Sequence, residues 1–164
     1  MAQHIEGCYG IRVITRDVTD PLIGDLDGEE IHIDYAVTAE ERLFLLAHLF
    51  GHTVQWNARP ETVELGRSRQ PPVLETVIPA LMDYEIEASS YALSMFHHIG
   101  IVGMDQWLSD FSACDMAYLR HYYLTGEKNG YRTFWRESTP CIQPRPIPPF
   151  RPTKHAWRAD GIVI

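Results

Sequence analysis

The stretch that constrains this chain most is residues 42–56, RLFLLAHLFGHTVQW. Apolar side chains crowd nearly every position. A helix built from them has no polar face to give to water and must be covered on all sides. Just upstream, Thr38 and Glu41 have capping-box spacing, in which a threonine hydroxyl accepts a backbone N–H that the glutamate reciprocates. This predicts a central, buried helix over about 39–57, and every other element has to be arranged around it.

Residues 10–16 (GIRVITR) and 29–35 (EEIHIDY) are short, rich in branched side chains and partly alternating, which predicts strands. PLIGDLDGEE between them offers a further short strand and a tight turn at Asp27-Gly28. A small N-terminal antiparallel sheet is the expectation. The polar run 57–72 reads as a long exposed loop. A second helix is predicted over about 73–98, with Pro79 either kinking it or marking its true start. A third is predicted over about 104–124, stopped at Gly126. From 139 the chain changes character. TPCIQPRPIPPFRPT is an extended, semi-stiff segment, to be laid over the protein or offered to a protein or peptide partner. Its interleaved Ile142, Ile147 and Phe150 favour a strap over a free ligand. The closing GIVI could pair with a strand edge or fill a groove. The fold class expected is α+β, a small sheet plus about three helices over 1–138, with a proline-rich tail over 139–164.

Composition excludes several functions. The chain has no apolar run long enough to span a membrane. A formal net charge of −8 with scattered Lys and Arg makes it a poor binder of phosphate backbones. Its three cysteines, Cys8, Cys114 and Cys141, are far apart, without CxxC pairs, which argues against a disulfide framework and against a cysteine-based zinc knuckle. The N-terminus lacks a charged start followed by an apolar core. A reducing, cytoplasmic setting is the expectation.

His48 and His52 lie four residues apart on the central helix, so they differ by about 40° around it and about 6 Å along it. Both imidazoles can then reach one ion. Eight histidines in 164 residues yield on the order of 0.4 such pairs by chance, so the spacing alone is weak. Two features strengthen it. Two uncompensated imidazoles are costly in an apolar helix. A carboxylate-bearing segment, DYEIEASSYA, also sits on the next predicted helix and can supply a third ligand.

A strand near EEIHID, a helix reading ERLFLLAHLFGH and a later helix reading EIEASSYA together resemble the ImmA/IrrE-type metallopeptidases, small zincin-like domains. Arg42, Leu46, Ala47, His48, Gly51 and His52 match the family's first motif; Glu87, Ala88, Tyr91 and Ala92 match its second. The resemblance covers about residues 10–96. It implies a minimal zincin-like fold and zinc held by His48, His52 and Glu87. If Glu87 faces the metal, helical geometry puts Asp83, Tyr84 and Tyr91 on its side and turns Glu85 about 200° away. Asp83, Tyr84 and Tyr91 are then the candidate catalytic groups.

The resemblance also places the family's catalytic glutamate at Leu49. Leucine can neither take a proton from zinc-bound water nor return it to a leaving amine, and losing a positioned base costs on the order of 10² to 10⁴ in rate. Three readings follow. The chain is a metal-binding, protease-derived regulatory or interaction module, or a metalloenzyme with another base, or a metal-free helical scaffold. His97, His98, Asp115 and His121 are further candidates for the second reading. The default for Asp115 and His121 is exposed helix surface.

Overall fold

The computed structural model describes residues 1–18, 23–66 and 71–155. Among these residues the architecture is α+β, a three-stranded sheet and five helices. Helix α1 (Ala2–Tyr9) ends at Gly10, whose left-handed φ of 70° turns the chain into strand β1 (Arg12–Arg16). Strands β2 (Gly24–Leu26) and β3 (Glu30–Asp34) form a hairpin around Gly28, which also has positive φ. The sheet order is β1-β3-β2. β2 runs antiparallel to β3 but β1 runs parallel to it, so the sheet is mixed rather than antiparallel. Alternation along a strand reports which residues face inward, not which neighbour it pairs with. The final strand here slots between the first two. Every residue of β3 is buried, as a central strand covered on both faces requires.

Helix α2 (Ala39–Ala58) has the predicted capping box: Glu41 N–H donates to Thr38 Oγ1 and Thr38 N–H donates to Glu41 Oε2. Residues 44–56 are all buried, the all-round coverage the sequence demands. Leu45 and Leu49 lie against β2 at Gly24. The long polar segment after α2 is partly ordered as a 3-10 turn at Pro60–Thr62 and the short helix α3 (Val63–Gly66). Helix α4 (Ile78–His98) carries Pro79 in its first turn, so the proline marks the start and not a kink. Helix α5 (Asp105–Thr125) ends at Gly126 with φ 76°. Neither α1 nor α3 is foreseen in the sequence. α1 has a single fully buried anchor, Ile5, and α3 is one turn long, so neither carries a periodic signal.

α2 crosses α4 at Gly51, packed directly on the backbone of Ala88. α5 closes the far side through Phe111, stacked on Phe44 at 4.8 Å between ring centroids. The proline-rich segment is laid over these helices. Thr139 N–H donates to Asp110, Ile142 N–H to Ser109 Oγ, and Arg145 N–H to the Ser90 carbonyl. Ile142, Ile147 and Phe150 pack against the core, and Phe150 stacks on Tyr9. Thr153 and His155 then bond Asn57 and the Asp27 carbonyl. The closing GIVI lies outside the described residues. Among the described residues no helix is long and apolar enough to cross a membrane.

Candidate metal centre

The four-residue spacing on α2 brings the two imidazoles together. Their Nε2 atoms are 2.9 Å apart, and the rings meet edge to face. Glu85 Oε2 of α4 lies 3.1 Å from His52 Nε2 and 3.4 Å from His48 Nε2. His48, His52 and Glu85 are 2, 1 and 8% exposed. One nitrogen, one nitrogen and one carboxylate oxygen therefore converge in the core, a set that could hold a metal ion.

The carboxylate at the histidines is Glu85, where Glu87 was expected. α4 faces α2 through Ala88, so the stripe turned inward is Leu81, Tyr84, Glu85, Ala88 and Ala92, the three- and four-residue spacing of one helix face. Glu87 is about 100° from Ala88 and comes out at the edge. There it accepts from Arg59 and Arg145 and from Gln55 Nε2. A signal for Glu85 was present. The apolar and small residues at 81, 88 and 92 mark the buried face, and Glu85 is the acidic residue in phase with them.

The other sequence candidates fall in different places. Tyr84 stacks on His52, with ring centroids 4.5 Å apart, but its hydroxyl turns away to accept from Trp56 Nε1. Burial and the nearby Glu85 push that hydroxyl well above the usual tyrosine range, so it stays protonated. Asp83 is exposed and lines an open cavity of about 360 Å³ with Arg59, Thr62, Tyr84, Glu87 and Arg145. Tyr91 is buried, with the Arg145 guanidinium 6.0 Å over its ring. His97 pairs with Asp105, His98 with Tyr9, and His121 with Asn129; none joins the triad. Leu49 is fully buried against β2.

Asp115 is not on the surface. It is 3% exposed on the inner side of α5. Burial first, and then the negative charge of Glu85, hold its carboxyl well above the usual range, which favours its protonated form. One turn earlier, Ser112 Oγ is buried without a hydrogen-bond partner among the described residues, and so is His48 Nδ1. Burial, and secondarily His52, lower the pKa of His48 to about 3, so it is a neutral imidazole, the form that binds metals. For Glu85, burial opposes ionisation but the attraction and hydrogen bond of His52 outweigh it, leaving the carboxyl below its ordinary range.

Asp115 predicts a pH dependence of stability. Its folded pKa is raised, so the unfolded chain releases this proton near pH 4 while the folded protein keeps it. Stability is lost as pH rises above that point, by about 1.4 kcal/mol for each pH unit of displacement. Asp115→Asn is expected to be more stable than the wild type at pH 7, with the advantage shrinking towards pH 4. Denaturant unfolding of the chelator-treated proteins at both pH values measures it. An asparagine variant less stable at pH 7 would show that the carboxyl is ionised and partnered.

No family model, curated protein or solved structure matches this chain.

Proposed function

We propose that this protein is a zinc-binding relative of the ImmA/IrrE metallopeptidases that has given up ordinary HExxH peptide hydrolysis and serves as a regulatory or interaction module. The observation that carries the reading is the convergence of His48, His52 and Glu85 in the core while Leu49 is sealed against the sheet. Two imidazoles and a carboxylate are the donor set of a zinc site with one position open, and their softness favours zinc over magnesium or calcium. Zinc bound there would supply Lewis acidity and an acidified water. The protein's own contribution is to hold His48 neutral and Glu85 ionised. No side chain at position 49 can handle the proton. A second reading is a metalloenzyme that uses a different general base; there the buried Asp115, coupled to Glu85 and favoured in its protonated form, would enter as a proton donor and not as that base.

Metal content decides first. Purified wild type is expected to carry close to one zinc per chain. His48→Ala, His52→Ala and Glu85→Gln should lose it, and Glu87→Gln should keep it. A wild type without stoichiometric metal, with uptake unchanged by His48→Ala, leaves the metal-free scaffold. Activity decides second. No useful peptide cleavage is expected, and robust chelator-sensitive cleavage by the native protein would overturn the loss of hydrolysis.

A further inference from the structure

The Gln55 amide is held from three sides. Its Nε2 is 2.8 Å from the Tyr84 carbonyl and 2.9 Å from Glu87 Oε2. Both of these partners are acceptors only, so the nitrogen must face them and the amide cannot be flipped. That leaves Gln55 Oε1, itself an acceptor, 2.8 Å from His52 Nδ1. His52 Nδ1 therefore carries a proton, and once Nε2 gives up the proton it shares with Glu85 the ring is left with its lone pair at Nε2, the atom that faces His48 and Glu85. Glu87 is in turn fixed by Arg59 at the end of α2 and by Arg145 in the proline-rich segment. Arg145 is anchored by its backbone, accepting from Ser94 Oγ at 2.6 Å and donating to the Ser90 carbonyl.

We infer that Gln55 and Glu87 are positioning residues that set the tautomer of His52, and that Arg145 ties the C-terminal strap into this outer layer of the candidate metal centre. Glu87 thus serves the site without touching it. Its carboxylate and the Tyr84 carbonyl leave the Gln55 nitrogen one orientation, the Gln55 oxygen leaves His52 one tautomer, and that tautomer aims its free lone pair inward. An outer-layer partner of this kind is typically worth 10- to 100-fold in metal affinity. Only the affinity part of the inference rests on the zinc reading; the tautomer is a property of the metal-free protein.

Nitrogen-15 NMR of histidine-labelled, chelator-treated protein at pH 8 reads the tautomer, with His52→Gln used to assign the signal. Wild type and Glu87→Gln, whose amide oxygen still accepts from Gln55, are expected to show His52 protonated at Nδ1. Gln55→Leu is expected to show a mixture or the opposite tautomer; in Glu87→Ala the Tyr84 carbonyl still holds the amide, so a smaller shift is expected. Should Gln55→Leu not fold, Gln55→Met carries the test. Zinc titration of the same proteins is expected to show roughly 10- to 100-fold weaker binding in Gln55→Leu. Glu87→Ala and Arg145→Ala should show smaller losses, and Glu87→Gln near-native affinity. A wild-type His52 protonated at Nε2, or a tautomer unmoved in the folded Gln55 variants, overturns the inference. A wild type with the expected tautomer and no zinc binding refutes the zinc reading and leaves the tautomer assignment standing.

Discussion

Gly51→Ala is expected to destabilise the protein by roughly 3 kcal/mol or more, at the upper end of what overpacking costs. A Cβ at position 51 would sit 2.1 Å from the Ala88 carbonyl oxygen and 2.6 Å from its carbonyl carbon. Both are backbone atoms of another helix and cannot rotate aside. Alanine gains up to about 1 kcal/mol over glycine within a helix, which is too little to offset the contact. The two helices would have to part. Because Glu85 lies one turn before Ala88, and His48 and His52 flank Gly51, separation also pulls the carboxylate from the imidazoles. Chemical denaturation and zinc affinity measured on the same variant should fall together. A Gly51→Ala protein of native stability would mean that the helix crossing is looser than 2.1 Å implies.

Leu49→Glu is expected to cost roughly 3–5 kcal/mol, the penalty for a buried charge without a partner, and to yield no peptidase. In an intact protease shell this change would restore the missing base. Here Leu49 is fully buried, and Gly24 of β2 lies so close that a Cβ there would be 2.9 Å from Leu49 Cδ1. A glutamate in that place meets the sheet. Urea unfolding of the variant measures the loss, and a chelator-controlled peptide assay reads activity. A stable variant with new, chelator-sensitive cleavage would show that residue 49 can turn to the metal, and would restore the protease-shell reading.

Much of the candidate site is legible along the chain. The spacing of His48 and His52 and the apolar crowding around them establish that two imidazoles share one side of a buried helix. The third partner is harder. Assigning Glu87 by motif resemblance turned Glu85 away by helical phase, when the phase of Leu81, Ala88 and Ala92 identified the opposite choice. Asp115 was unreadable. DQWLSDFSACDMAYLRHYYL mixes polar and apolar residues, and nothing local says that the face bearing Asp115 is buried. Its raised pKa is first a product of that burial.

By itself the sequence determined the local geometry: the capped start of α2, the glycine stop after α5, the hairpin turn at Gly28 and the pairing of the two histidines. Each depends on residues a few positions apart, whose backbone preferences and periodicities are fixed before the chain folds. Tertiary structure decided the rest. It set the parallel pairing of β1 with β3, started α4 at Pro79 without a kink, gave Glu87 to two arginines and Gln55, and buried Asp115. These depend on which helix face meets which. A rotation of one residue, about 100°, exchanges a side chain among the histidines for one at the edge. In α4 the contact at Gly51 and Ala88 sets that rotation.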